Sequence, residues 1–461
     1  MPFWPTNTDR QVNDMDSFIK QYTYADGAIQ KVHLVRPDRW EDLSFFQPPE
    51  ADNTLTCFSD IYRNFLVPAC PWLFGNMVMF RLPEDVEIPF SFSTKKYGRV
   101  ADPLTAAAVA MEQTIRLHRG KPHFATEEAR AFWQTLESRD CIRIVCGKLP
   151  VTSFVPLGTA PGYLTQAEPD AQMKVNASFF IMDKFDCATV YDHIGTTLGL
   201  CVKDGVVLNP PLYHREALLV SKDGSVRIKP ADIHDMDIRI GGTTYHHGRN
   251  CRIYTRPNHP FVIHPGETKI VIVGRRVAAV SSSLSIPVPA SGFVLSVKGP
   301  CSVTAGSSVE YLGMEEIAFG IQVGNSILIN GEKTMTFRSR FYNIRHLEPV
   351  PYPPSLYPMD FDNARAARIA LGSDSAGRPM LLWAEGAAKF GYVHGKGSCG
   401  ASLKEMAHIC ADVGMVNAVN LDGGGSAQIL LNNRRTLKIS DRNKQTHAEA
   451  ERPVPLGLMI K

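Results

Sequence analysis

Met415-Val-Asn-Ala-Val-Asn-Leu-Asp-Gly-Gly-Gly-Ser-Ala-Gln-Ile-Leu-Leu431 is the stretch on which the reading of this 461-residue chain turns. Apolar Val416–Leu421 predicts a short strand ending on Asp422, and Ile429–Leu431 is a second apolar run. Between them stand three consecutive glycines, Gly423, Gly424 and Gly425, and then Ser426. Glycine loses the most conformational entropy on folding, so packing alone does not call for three in a row. They permit a sharp turn whose main-chain N–H groups lie open to a ligand. An acid, a bare backbone and a hydroxyl within five residues read as a site. Asp-Gly between apolar runs also reads as a hairpin tip, and the two readings are compatible because a tip can carry a site.

Working outward, Ser402–Val413 predicts an amphipathic helix with Leu403, Met406, Ala407 and Cys410 on one face, closed by Gly414. Pro379–Ala384 predicts a strand, and a glycine-rich loop spans Gly386–Gly400. Within it, Gly395-Lys-Gly-Ser-Cys-Gly400 spells G-x-G-x-x-G before a helix. A dinucleotide fingerprint needs those glycines directly after the strand, and here about ten residues intervene, so a nucleotide-dependent oxidoreductase is set aside. From Pro169 the chain reads as short strands broken by turns. They are Lys174–Phe180, Leu198–Val202 before Asp204-Gly205, Ala217–Val220 before Asp223-Gly224, Lys269–Val273, Gly292–Val297, Ile317–Val323, and Ile327–Ile329 before Asn330-Gly331.

Nearer the start, Ala28–Pro37 holds a strand, and residues 46–103 are rich in Pro and aromatics. Helices are expected over Leu104–Arg119 and, capped by Thr126, to Ser138, followed by a strand at Cys141–Cys146. The fold class expected is mixed α/β (α+β). A strand-rich domain with a few packed helices covers 170–461. A helical and Pro-rich N-terminal region covers 1–169, with 46–140 as an insertion or added domain.

Composition sets the limits. Hydrophobic content of 44% and charged content of 21% are ordinary for a folded chain. A net charge of +3 gives no case for a nucleic-acid surface, and no apolar stretch approaches the ~20 residues of a membrane helix. The first residues lack a basic start and an apolar core, and ten cysteines include no C-x-x-C pair, so reduced thiols in the cytoplasm are expected. His234, His246, His247, His259 and His264 lack metal-ligand spacing and read as a surface loop, whereas His394 lies in the glycine loop, better placed for substrate.

Val419-Asn-Leu-Asp-Gly-Gly-Gly-Ser426 resembles the signature of the phosphodiester glycosidase family. Five further stretches, in the family's order, extend the likeness over about 170–461: Asn176-Ala-Ser-Phe-Phe180, Asn325-Ser-Ile-Leu-Ile-Asn-Gly331, Ala367-Arg-Ile-Ala-Leu-Gly372, Ser402-Leu-Lys-Glu-Met-Ala407 and Glu451-Arg-Pro-Val454. The resemblance implies hydrolysis of a sugar-1-phosphodiester at its glycosidic bond. This chain departs from the family at Ile369, where Thr is usual, at Ala427-Gln428 in place of Ser-Thr, and at Glu385-Gly-Ala387 in place of Asp-Gly-Arg. Those departures motivate the alternative of a non-catalytic sugar-phosphate binder.

Such a reaction needs a held phosphate, a stabilised oxocarbenium-like centre and a delivered water. The residues offered are Asp422 and Glu451 as the carboxylate pair, Arg368 and Arg452 as a phosphate clamp, the N–H groups of Gly423–Ser426 as an anion nest, and Asn176 for a sugar hydroxyl. Two of these also have structural readings: Arg452 as an ion-pair partner of Glu451, and Asn176 as a clamp on loop backbone. No cofactor is implied and no metal ligand set is visible, although Asp422 and a phosphate oxygen could share a divalent cation.

Overall fold

Pro379-Met-Leu-Leu-Trp-Ala384 is buried along its whole length, as a strand covered on both faces must be. In the computed structural model it lies inside an eight-stranded antiparallel sheet. The order is Trp4–Gln11, Ser17–Thr23, Ile29–Val35, Pro379–Ala384, Arg368–Ser373, Asn417–Asn420, Ser326–Ile329 and Glu332–Lys333. The structure describes residues 4–11, 15–49, 51–69, 71, 74–89, 103–158, 161–182, 194–211, 215–255, 261–289, 292–299, 301–324, 326–334, 364–443 and 445–461. Asn325 and His259 lie outside them.

The alternation of strand side chains sets the layers. Ile369, Leu371, Leu381, Trp383 and Val419 face a second, five-stranded sheet and pack on its Met173, Val175, Ile429, Leu431, Leu458 and Ile460. That sheet runs Arg434–Arg435, Ile429–Leu431, Met173–Asn176, Gly457–Ile460 and Leu43–Phe46. On the opposite face of the large sheet, Ala370, Leu382, Ala384 and Ala418 pack under Leu403, Met406, Ala407 and Cys410 of the helix Leu403–Asp412. That helix opens on a capping box, in which the Ser402 hydroxyl accepts from the Glu405 N–H and the Glu405 carboxylate accepts from the Ser402 N–H at 2.8 Å. Glu405 also pairs with Arg365 at 2.7 Å, fixing the helix to the entry of the strand Arg368–Ser373. The far face of the second sheet, with Phe46, Leu430 and Met459, is covered by Leu55, Phe58 and Tyr62 from the helical segment that starts at Thr54.

The remaining described residues form strand-rich lobes. Residues 200–323 hold several antiparallel ladders around Val202, Leu219, Ile238, Ile270 and Leu295. A smaller unit has helices Pro103–Thr114 and Glu127–Ser138 against a three-stranded sheet in which Gly75–Phe80 runs parallel to Leu149–Pro156. Thr126 caps the second helix as expected, its hydroxyl accepting from the Ala129 N–H at 3.2 Å. The first helix is shorter than expected. It stops at Thr114, and Ile115–His118 pairs with Lys121–Phe124 as a hairpin. There, alternating apolar and basic residues prefer a strand, and Arg119 and Gly120 take the positive φ of a tight turn.

The molecule is strand-rich with few helices, and its strands are paired almost entirely antiparallel among the described residues. Strands from residues 17–46 are shared out between the same two sheets as strands from 368–460. No described helix is long and apolar enough to cross a membrane. The eight described cysteines are unpaired.

Candidate active site

The two sheets place Asn176, Arg368, Glu385 and Asp422 at or just beyond strand ends that meet at one end of the layer between them. Ala367 is the meeting point. Leu421 N–H donates to Ile369 O at 2.9 Å and Gly424 N–H to Ala367 O at 2.8 Å, so the loop follows the strand edge past Asp422. A Cβ on Gly423 would lie 2.6 Å from Ala367 O, and one on Gly386 would lie 2.7 Å from Ala367 N. Two acid-glycine steps, Asp422-Gly423 and Glu385-Gly386, therefore flank Ala367 from the two neighbouring strands, about 10 Å apart at strand spacing.

Each of the three glycines has its own reason. Gly423 allows the approach to Ala367, and Gly424 has φ +60°. At Gly425 a Cβ would stand 2.1 Å from Asp441 Oδ2 and 2.2 Å from Arg452 Nη2. The loop rests directly on that ion pair. Its amides are largely engaged within the protein: Gly424 N–H meets Ala367 O, Ser426 N–H meets Gly423 O at 3.2 Å, and Gly423 N–H supports the Asp422 carboxyl. The expected anion nest is thus mainly a mount for Asp422.

Burial pushes the Asp422 carboxyl up to about 7, against the opposing effects of the Ser426 hydroxyl, the Arg452 charge, the Gly423 N–H and the Arg368 charge. Arg368 is itself buried, donating from Nε to Ala401 O at 3.1 Å and from Nη2 to Ala364 O at 3.0 Å. Glu385, buried and accepting from Ser398 Oγ at 3.1 Å, is also raised by burial.

Asn176 holds both ends of the loop. Its Nδ2 donates to Asp422 O at 2.8 Å, and its Oδ1 accepts from Gln428 N–H at 3.0 Å. The clamp on loop backbone is the geometry observed. Asn176→Ala removes both bonds in a fully buried position and is expected to cost about 1–3 kcal/mol. Activity should fall with it, because the Asp422 loop loses its tether. Urea denaturation alongside an activity assay checks this, and an Ala variant as stable and active as wild type would count against the clamp.

Arg452 and Glu451 part company. Arg452 donates from Nε and Nη2 to Asp441 Oδ2, at 3.0 and 2.7 Å, and the expected ion pair with Glu451 is absent among the described contacts. Asp441 is buried as deeply as Arg452 and offers the guanidinium a partner screened from water. Glu451 accepts from Thr165 N–H at 3.2 Å, from Thr165 Oγ1 at 2.6 Å and from Gln428 Nε2 at 3.3 Å, with Arg435 at 3.7 Å. Among the described contacts it reaches the Asp422 loop through Gln428.

Sequence reasoning missed Asp441 and Lys389. Lys389 Nζ lies 2.6 Å from Asp441 Oδ1, completing a triad with Arg452. Burial alone would raise the Asp441 carboxyl, but Arg452 and Lys389 outweigh it and hold Asp441 below the usual range. Burial lowers Lys389, with Asp441 opposing. Lys389 lies within the glycine-rich loop and Asp441 in no motif or periodic element, and nothing local marks either as a partner in an ion pair. His394 donates from Nε2 to Asp26 O at 2.9 Å, pinning the glycine loop to the turn at residues 24–28. His246 pairs with Asp237 on a β-hairpin, and no cluster of three or more metal-ligating side chains exists among the described residues.

The chain shares 40% identity over 72 residues with the N-acetylglucosamine-1-phosphodiester alpha-N-acetylglucosaminidases of Mus musculus and Homo sapiens, 16% of this chain and 12% of each relative. The match therefore spans a small part of those relatives' length. It is also similar to the solved zebrafish N-acetylglucosamine-1-phosphodiester alpha-N-acetylglucosaminidase catalytic domain auto-inhibited by pro-peptide. That likeness has 13% identity and a TM-score of 0.39, over 100% of this chain and 88% of that one. The family model for phosphodiester glycosidase matches residues 262–461, which include Arg368, Glu385, Lys389, the Asp422 loop, Asp441 and Arg452. The likeness to the phosphodiester glycosidase family therefore rests on residues 262–461, less than half of the chain.

Proposed function

We propose that the protein is a hydrolase that cleaves the glycosidic bond of a sugar-1-phosphodiester, releasing the free sugar and a phosphomonoester. The observation that carries this is Asp422, a carboxyl poised near pH 7 on a glycine loop that rests on buried cationic groups. A group with that pKa is present in both protonation states at neutral pH, so it can give a proton to a departing oxygen or take one from water. Phosphate leaves readily, so modest proton assistance suffices, and the positive charges of Arg368 and the Lys389–Asp441–Arg452 triad favour an anionic substrate over a neutral glycoside. Asp422 is the proton-transfer group in this reading. Glu385, across Ala367, stands as the second carboxyl, and Glu451 serves to hold Thr165 and Gln428.

Product analysis on a panel of sugar-1-phosphate diesters tests the reading. Free sugar plus phosphomonoester is the expected outcome. Sugar-1-phosphate would place the break on the phosphorus side and overturn the reaction. Tight binding of every diester with no turnover would make the protein a sugar-phosphate binder.

A further inference from the structure

We propose that Lys389 is the residue that meets the substrate phosphate, with Asp441 and Arg452 as its anchor. The inference rests on the phosphodiester reading and names a contact which that reading leaves open.

The two arginines suited to a phosphate clamp are held elsewhere. Arg368 is buried with its guanidinium on the carbonyls of Ala401 and Ala364. Arg452 places Nε and Nη2 on Asp441, while its Nη1 faces Met182 Sδ at 2.8 Å. Within the triad the exposures differ sharply: the Lys389 side chain is 33% exposed, whereas those of Asp441 and Arg452 are 7%. An incoming anion therefore reaches Lys389 first. Two cations and one carboxylate leave one positive charge, which matches the single negative charge of a phosphodiester. An ammonium carries three donors on a flexible stem, so its bond to Asp441 and a bond to a phosphoryl oxygen are compatible.

Lys389 is also tied to the loop that bears Asp422. Its N–H donates to Ser440 O at 3.1 Å, and Ser440 Oγ donates to Gly424 O at 3.1 Å. Charge recognition and the proton-transfer group are thus joined through one serine. Asp441 and Arg452 act through Lys389 as positioning residues.

The test compares wild type, Lys389→Gln and Lys389→Arg. Binding of inorganic phosphate and of a methyl sugar-1-phosphate diester is measured by calorimetry at low and high salt, with diester turnover and thermal midpoints alongside. Lys389→Gln should weaken binding of both probes and raise KM for the diester by about tenfold or more, and its residual binding should depend less on salt. Lys389→Arg, which keeps the charge, should recover most of the loss. Wild-type affinity in Lys389→Gln, no phosphate binding by wild type, or equal losses in Gln and Arg variants with a lowered midpoint would each overturn the proposal. Phosphate binding that depends on Lys389 in a protein that cleaves no diester would support this contact while removing the hydrolase reading.

Discussion

Asp422→Asn is expected to lower kcat about 10³-fold, within the range for loss of a positioned acid or base, and to raise the thermal midpoint at pH 8. The second effect follows from the same carboxyl. Its folded pKa of about 7 stands above the ordinary 3.8. Between those values the folded protein keeps a proton that the unfolded chain has released, so stability falls as pH climbs and the contribution is gone above about 7. The neutral amide carries no such penalty. The variant should therefore be the more stable protein at pH 8, by an amount on the order of a few kcal/mol, with the gap shrinking toward pH 5. The wild-type limb of kcat/KM near neutrality should disappear with it. Melts at pH 5 and pH 8, with kinetics across that range, check both parts. Equal midpoints for the two proteins at both pH values would mean an ordinary carboxyl and remove the argument for Asp422 as the proton-transfer group.

Asp441→Ala is expected to have the largest effect on stability. It removes the carboxylate that Arg452 and Lys389 share, and breaking a buried pair in this way costs about 3–5 kcal/mol. The sign with pH is opposite to that of Asp422. Asp441 is held below its ordinary value, so its contribution is present above pH ~4 and is lost as pH falls through the folded pKa. The deficit should be full at pH 7 and shrink in acid. Activity should fall too, because the loop at Gly425 rests on this pair. Urea denaturation at pH 7 and in mild acid is the measurement. A loss under about 1 kcal/mol at pH 7 would show that the pair contributes no more than a surface contact.

What the sequence made legible was local. The Ser402 cap and the apolar face of the helix Leu403–Asp412 follow from side chains within one or two turns. The hairpins at Asp204-Gly205 and Asn330-Gly331 follow from residue pairs that tolerate positive φ, which both pairs adopt. The glycine triplet announced a special backbone, but not that each glycine answers a different neighbour. Distant pairings stayed hidden. Nothing near Arg452 marks Asp441 as its partner in place of adjacent Glu451, and Asn176 reads as a sugar ligand until the two loop ends appear on its amide. Residues 115–119 misled for a related reason: their alternation is brief, and a preceding alanine-rich helix reads straight through it.

The shared sheets bear on how the chain reaches this form. The strand Ile29–Val35 finds its inner neighbour in Pro379–Ala384, and Leu43–Phe46 finds its own in Gly457–Ile460, the last strand in the chain. During synthesis Ile29–Val35 waits for most of the polypeptide with one edge unpaired and Leu43–Phe46 with no neighbouring strand, a state open to wrong pairing with other chains. Closure across such separations makes for slow folding. A fragment beginning near residue 170 would lack three strands of the sheet that carries Asp422 and the outermost strand of its partner. Its raw edges would fall at Pro379–Ala384 and Gly457–Ile460, so the half that bears the sequence motifs is not a unit that can be cut free at the motif boundaries.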